Sequence, residues 1–112
     1  MKLSEKGVLL RIFISENDTV DGKALYELIV MKAKEAGLAG ATVLRGVMGF
    51  GYHSRMHTSK ILRLSEELPL VVEIIDTREN LEKLLPYLDE TVKEGLVTME
   101  NVEVVKYRET KQ

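Results

Sequence analysis

Two stretches of the chain show the alternation of side chains that is typical of β-strands. They cover residues 8–14 and 70–75. Because successive side chains of a strand point to opposite faces, each stretch has one aliphatic face and one apolar face with a single charge, Arg11 or Glu73. The aliphatic faces consist of Val8, Leu10, Ile12, Ile14, Leu70, Val72 and Ile74. The pattern predicts a sheet with one buried side and a second side that is still largely apolar.

A first helix is predicted over about residues 21–36. Its apolar stripe consists of Leu25, Leu28, Ile29, Ala33 and Ala36. Asp18 or Thr19 is placed to cap the first turn, because a short side chain with an oxygen accepts a free backbone N–H there. Gly37 is the expected left-handed stop. The helix therefore follows the first strand after a short polar loop.

A second helix is predicted from residue 78 to about residue 94, between the capping signal Asp76-Thr77 and Gly95. Its apolar stripe consists of Leu81, Leu84, Leu85, Leu88 and Val92. Pro86 lies inside this stretch, where a proline costs about 3 kcal/mol by removing an N–H and crowding the preceding turn. We therefore expect the helix to kink or restart near Leu85.

The remaining apolar stretches complete a βαββαβ order. Residues 41–48 are predicted to form the second strand and residues 96–107 the last strand, broken by a turn at residues 99–101. Two right-handed crossovers then give an α+β ferredoxin-like sandwich, with a four-stranded antiparallel sheet and two helices on one face. At 112 residues the chain is expected to be one domain. A loop of about residues 50–60 leaves the second strand, and a polar tail of about residues 108–112 is expected to be mobile.

The sheet face that points away from the helices is predicted to be an interface. Its apolar residues are Leu9, Phe13, Val71, Ile75 and Val105. Arg11 and Glu73 lie among them on neighbouring central strands, where they can pair across the sheet. A monomer rarely exposes so large an apolar face, so we expect a homo-oligomer built on it. The alternative is a mixed face that is simply solvated.

Composition and charge limit the possible partners. The net charge is −2, whereas general binders of nucleic acid or membrane surfaces carry a basic excess. No apolar run approaches the roughly 18 residues of a membrane span, and the N-terminus lacks the apolar stretch of a signal peptide. Without cysteine there is no disulfide, thiolate nucleophile or cysteine-bound metal. We expect a cytoplasmic protein that neither binds nucleic acid nor inserts into a membrane.

Glycine is concentrated where the second strand leads into the loop. Five of the eight glycines lie between Gly37 and Gly51. Glycine lets a ligand or another backbone approach closely, which makes this stretch the candidate site. The alternative is that these glycines serve only the geometry of a bulged strand. His53 and His57 follow in the loop, but a metal site needs three or four ligands and no third one is near, so no metal is predicted.

The residues of this stretch resemble the same region of PII signalling proteins. The resemblance is carried by the run Gly37-Leu-Ala-Gly40-Ala-Thr42-Val, by Gly49-Phe50-Gly51, and by Leu68-Pro69 before a strand that contains Glu73. A family of small PII-like proteins, largely uncharacterised, is more similar still, over residues 10–107. PII proteins have the fold predicted above. They are trimers that bind ATP or ADP in clefts between subunits and act by changing the shape of an effector loop.

The resemblance implies a binding site for an adenine nucleotide, ATP or ADP. The implied contacts are an adenine pocket at Gly40, Ala41 and Thr42, phosphate-facing amides at Gly49, Phe50 and Gly51, and the basic residues Lys106 and Arg108 of a neighbouring subunit. Backbone amides gathered in a concavity are physically suited to an anion. The chain departs from PII proteins after the second helix, where residues 94–101 are acidic and contain one glycine instead of a glycine-rich loop with a lysine.

The loop of about residues 50–60, which follows the second predicted strand, corresponds to a shortened PII effector loop. Its candidate contact residues are Tyr52, His53, Arg55, His57 and Lys60. Ordering a segment costs about 1–2 kcal/mol per residue, and this one has little apolar anchoring. We expect it to be mobile in the free protein and to become ordered when nucleotide or an unidentified protein partner engages it.

Two other functions stay open. Acylphosphatases share the predicted fold and hold a phosphate with a glycine-rich loop and an arginine, a role for which Arg45, Arg55 and His57 are available here. A ligand-free oligomeric scaffold is the second alternative. We expect no catalysis, because the chain has no thiol and no histidine placed as a positioned base. The leading hypothesis is a PII-like regulatory homotrimer.

Overall fold

The computed structural model describes residues 6–51 and 68–108 of the chain. Its elements, in chain order, are β1 (Lys6–Ser15), β2 (Thr19–Val20), β3 (Lys23–Ala24), α1 (Leu25–Glu35), β4 (Thr42–Arg45), β5 (Pro69–Asp76), α2 (Arg78–Glu82), α3 (Leu85–Thr91) and β6 (Leu96–Glu103). Within these residues, one antiparallel sheet has the strand order β4-β5-β1-β6, and β2 pairs with β3 in a separate hairpin. The predicted ferredoxin-like α+β fold is confirmed.

The core lies between one face of the four-stranded sheet and the helices. All seven side chains predicted for the buried face are at most 5% exposed. The helices contribute the buried residues Leu25, Ile29, Ala33, Leu81, Leu84 and Leu88. Each large aliphatic side chain contributes about 1.5–3 kcal/mol when it is fully buried. This layer therefore decides which face of the sheet carries the helices and which face stays open.

The first helix begins four residues later than predicted, at Leu25 rather than at residue 21. The β2–β3 hairpin occupies the preceding residues, and its turn is Asp21-Gly22 with φ values of 51° and 80°. Two positive φ values are what a two-residue type I′ hairpin turn requires. Asp18 does not cap the helix with its side chain, since its carboxylate accepts the backbone N–H of Ser15 instead (3.0 Å). Gly37 ends the helix as predicted, with a φ of 76°.

The second predicted helix is two short helices, as the proline suggested. Thr77 caps α2 by accepting the backbone N–H of Asn80 (3.2 Å). The restart near Leu85 is confirmed, and Pro86 lies in the first turn of α3, where a missing N–H breaks no helical hydrogen bond. α3 ends at Thr91 rather than near residue 94. No helix within residues 6–51 and 68–108 is long and apolar enough to cross a membrane.

Two strand predictions differ from the structure. The predicted break at residues 99–101 is wrong, because β6 pairs with β1 without interruption and Met99 packs against the core. β6 ends at Glu103, so Val105 lies beyond the sheet. β4 is half as long as predicted and ends at Arg45, and one further bond to β5 follows, from the N–H of Gly46 to the carbonyl of Pro69 (2.8 Å).

Candidate ligand site at one end of the sheet

The candidate adenine-binding residues lie at the end of the sheet where β4 begins and β5 ends, which we call the Asp76 end. After α1, the N–H of Leu38 donates to the carbonyl of Ala33 (3.1 Å) and the chain turns toward β5. The N–H of Ala39 then donates to the Asp76 carboxylate (2.9 Å). Residues 40–42 follow directly, with Gly40 and Thr42 exposed and Ala41 packed against the core. A Cβ built at Gly40 would meet nothing within 4 Å, so the backbone there is open to a ligand.

Asp76 is a fully buried carboxylate that the sequence identified only as part of a capping signal. It accepts hydrogen bonds from the backbone N–H of Ala39 (2.9 Å), the backbone N–H of Thr77 (2.6 Å) and the side-chain amide of Asn80 (2.9 Å). Burying a carboxylate without partners would cost several kcal/mol. These three donors compensate that cost and join the end of β5 and the start of α2 to the segment before β4.

The segment after β6 returns to the same place. The hydroxyl of Tyr107 donates to the carbonyl of Ala39 (3.2 Å). Directly after β6, a Val104 methyl lies 3.0 Å from the position that a Cβ would take at Gly7, so the segment stays close to the start of β1. Tyr107 is flanked by the exposed residues Lys106 and Arg108. The structure thus ties the residue between these two cations to Ala39 of the same chain, whereas the PII resemblance implied cations from a neighbouring subunit.

The candidate phosphate-binding residues Gly49, Phe50 and Gly51 lie beyond the other end of β4. A Cβ at Gly46 or Gly49 would stand 2.8 Å or 3.0 Å from Cγ of Pro69, so both glycines are needed for close packing on that ring. Phe50 is 94% exposed. Three steps of about 3.3 Å place the two ends of β4 about 10 Å apart. Within one chain, the structure therefore separates the candidate phosphate-facing amides from the candidate adenine pocket and from the basic residues.

The open face of the sheet carries the predicted charge pair. Arg11 and Glu73 lie opposite each other in register and pair through Nε and Oε2 at 3.0 Å, while Nη1 of Arg11 contacts Oε1 of Glu100 at 2.6 Å. The hydrogen bond to Glu73 raises the pKa of Arg11 above its ordinary value. The guanidinium therefore stays charged at any physiological pH, and the face carries one cation between two carboxylates.

The apolar part of the open face differs in part from the prediction. Leu9, on a central strand of the sheet, is buried at 7% exposure. Val105 does not belong to the face. Leu44 of β4 and Leu96 of β6 do, since they pair in register with Val71 and Phe13, and each is 48% exposed. The prediction did not include these two residues, although both lie within the predicted strands 41–48 and 96–107.

Several candidate residues lie outside the part of the chain that the structure describes. They are the loop residues Tyr52, His53, Arg55, His57 and Lys60. Within residues 6–51 and 68–108, no three His, Asp or Glu side chains are grouped as metal ligands would be. Of the three candidates for an acylphosphatase-like site, Arg45 lies within the residues that the structure describes. It pairs with Glu16 through Nη2 and Oε1 at 3.1 Å.

A cleft of about 250 Å³ lies away from the Asp76 end, between the hairpin and the end of α3. Its lining residues are Asp18, Thr19, Leu25, Thr91, Lys93 and Glu94. The carboxylate of Asp18 and the hydroxyl of Thr91 already bond to the backbone at Ser15 and Tyr87. Two of its polar side chains are therefore already engaged, and the cleft contains none of the residues that the sequence singled out as ligand contacts.

Comparison with known proteins connects this fold to a family. Residues 7–104 match the model of DUF190, whose description is "Uncharacterized ACR, COG1993". The chain belongs to this family. It is 43% identical over 103 residues to a UPF0166 protein of Aquifex aeolicus (strain VF5), an alignment that covers 89% of this chain and 94% of that protein. It is 35% identical over 102 residues to a UPF0166 protein of Methanocaldococcus jannaschii, covering 90% and 94% of the two chains.

A second UPF0166 protein of Aquifex aeolicus is 37% identical over 99 residues, covering 88% of this chain and 97% of the relative. These matches confirm the prediction that the chain belongs to a family of small uncharacterised proteins. The sheet order and the single layer of helices on one face are those of the ferredoxin-like fold that the resemblance to PII proteins implied.

Proposed function

We propose that this protein is a PII-like trimeric regulatory protein that binds an adenine nucleotide, ATP or ADP, in clefts between its subunits. The observation that carries the proposal is the hydrogen bond from Tyr107 to Ala39. It ties the segment that carries two exposed cations, Lys106 and Arg108, to the residue directly before Gly40, whose backbone is open. Cations supply what a phosphate chain requires, and the protein as a whole has a net charge of −2, so this basic site is local.

The adjoining strand supports recognition of the base. β4 is an edge strand of the sheet, so part of its backbone N–H and C=O groups has no partner in β5. An adenine ring presents a donor and an acceptor side by side on one edge, and an unpaired strand edge offers the complementary pair. The exposed backbone at Gly40 and Thr42 is where such an approach meets least obstruction.

The separation of the candidate groups supports a cleft between subunits. One chain holds the basic segment and residues 49–51 at opposite ends of β4, whereas a second chain packed beside it can bring its own groups next to either end. The open face supplies the apolar area for such packing, since contiguous apolar patches on soluble proteins commonly mark interaction sites. A trimer built on this face is the arrangement we propose.

The proposed role is binding and regulation, without catalysis. Residues 52–60 follow the candidate site directly along the chain and are proposed to contact an unidentified partner protein. An acylphosphatase-like reaction would require a free arginine beside the phosphate, and Arg45 is instead paired with Glu16. Steady phosphate release from an acyl phosphate or from ATP, abolished by Arg45→Ala, would contradict the proposal and favour an enzyme.

Isothermal titration calorimetry with ATP, ADP, AMP and adenosine tests the proposal. The unmodified protein is expected to bind ATP or ADP, and the double variant Lys106→Ala/Arg108→Ala to bind it about tenfold or more weakly, because hydrogen bonds to charged groups contribute about 1.5–3 kcal/mol each. The matched control removes two exposed lysines elsewhere, Lys23 and Lys34, and is expected to bind normally. No heat with any of these ligands at millimolar concentration would refute nucleotide binding.

A further inference from the structure

Ala39 is the residue through which the Asp76 end of the sheet is assembled. Both of its backbone polar groups are engaged by side chains that are distant in sequence. Its N–H donates to Asp76, 37 residues away, and its carbonyl accepts from the hydroxyl of Tyr107, 68 residues away. One peptide segment is thus held from the core side by a buried carboxylate and from the C-terminal side by a phenol.

We infer that Asp76 and Tyr107 are positioning residues for ligand binding, each controlling a different part of the proposed nucleotide site. Asp76 fixes the path of the backbone that enters residues 40–42, which would contact the base. Tyr107 fixes the C-terminal segment, and with it Lys106 and Arg108, which would contact the phosphates. Neither side chain needs to contact the ligand. The inference rests on the proposed function, since it concerns the same site.

The geometry at Asp76 separates this role from ordinary helix capping. Oδ2 accepts the N–H of Ala39, whereas Oδ1 accepts from Thr77 and Asn80 at the start of α2. In Asp76→Asn one oxygen becomes an NH₂ group, which cannot accept. The orientation that keeps two bonds retains the contacts to α2 and turns the NH₂ group toward the N–H of Ala39. Asn80→Ala is the matched control, because it removes a bond to Oδ1 and leaves the bond to Ala39 intact.

The test is calorimetry with both ATP and adenosine on the full chain. Tyr107→Phe keeps the ring but loses the hydroxyl, and it is expected to weaken ATP binding about tenfold, the equivalent of about 1.4 kcal/mol, while adenosine binding is unchanged. Asp76→Asn is expected to weaken binding of both ligands by a similar factor. Asn80→Ala is expected to bind both ligands normally. Amide hydrogen exchange at residues 39–42 should become faster in Asp76→Asn and stay unchanged in Asn80→Ala.

The outcomes separate this inference from the proposed function. If the unmodified protein binds ATP and Tyr107→Phe binds it equally well, the inference is wrong and the proposed function stands. Equal losses in Asp76→Asn and Asn80→Ala would also overturn it, because general loosening of α2 would then explain both. If Asp76→Asn does not fold, Tyr107→Phe decides the matter by its ratio of ATP to adenosine affinity. If the unmodified protein binds neither ligand, the proposed function fails and the inference fails with it.

Discussion

Gly40 and Gly49 show that glycines of the same sequence stretch serve different purposes. At Gly40 an added side chain would meet no atom of the chain within 4 Å, so nothing in the fold requires glycine there. At Gly49 the same addition would collide with Pro69, at 3.0 Å. The geometric interpretation therefore explains Gly49, whereas access for a ligand is the physical reason that fits Gly40.

These two environments give opposite expectations for one substitution. Gly40→Val is expected to weaken ATP binding without lowering the melting temperature, because the valine obstructs only approach from outside. Gly49→Val is expected to lower the free energy of unfolding by about 1–3 kcal/mol, the usual cost of overpacking. Denaturation midpoints and calorimetry on both variants check this. A Gly40→Val protein that binds ATP normally would show that the ligand does not approach at this residue.

Among the helices and strands, the region around Pro86 is one where the helical spacing of apolar residues continues although the helix itself is interrupted. The apolar stripe from Leu81 to Leu88 is continuous in sequence and packs into the core, yet the helix ends and restarts between α2 and α3. A proline in the first turn of a helix removes no helical hydrogen bond, because the N–H at that position has no partner within the helix. Its position, rather than its presence, therefore determines its energetic effect.

Pro86→Ala is accordingly expected to change stability little. Inside a continuous helix the substitution would stabilise the protein by about 3 kcal/mol. In the first turn of α3 it should destabilise by about 0.4–1 kcal/mol, because alanine gives the unfolded chain more freedom. The free energy of unfolding from urea titration distinguishes the two cases. A gain of several kcal/mol would mean that the break between α2 and α3 is imposed by the proline alone.

The apolar pattern of the sequence predicted some helices and strands correctly and missed others. Periodicity predicted the sheet faces and the core, because burial there is nearly complete. It missed the β2–β3 hairpin, since strands of two residues are too short to show alternation. It placed a turn at residues 99–101 because two polar residues follow Met99. On β6, an edge strand, polar side chains reach water at little cost, so they do not interrupt the strand.

The candidate site could be predicted only in part for a related reason. The resemblance to PII proteins singled out Gly40, Thr42 and the C-terminal cations, which the structure brings to one end of the sheet. The hydrogen bonds of Asp76 and Tyr107 to Ala39 could not be predicted, because contacts over 37 and 68 residues leave no periodic signal in a single sequence.

For the molecule as a whole, the exposed apolar side chains of the open face are the feature that a single chain does not explain. Phe13 lies on this face, beside Val71 and Leu96 on the neighbouring strands. Phe13→Asp would place an unpaired carboxylate in the proposed interface, at a cost of several kcal/mol. We expect this variant to be a folded monomer by light scattering and circular dichroism.

Met31→Asp is the matched control for this prediction. Met31 is an exposed apolar residue of α1, on the helical side of the molecule and away from the open face. The same carboxylate at this position is expected to leave the oligomeric state unchanged. Dissociation by both variants to the same extent would mean that the added charge, rather than its position on the open face, drives the effect.

Native mass spectrometry of the unmodified protein, with and without ATP, reports both the number of chains and the number of bound ligands in one spectrum. We predict a trimer that carries up to three nucleotides when ATP is present, with fewer bound when Lys106 and Arg108 are replaced by alanine. A monomer that retains no nucleotide at millimolar ATP would contradict both the assembly and the site.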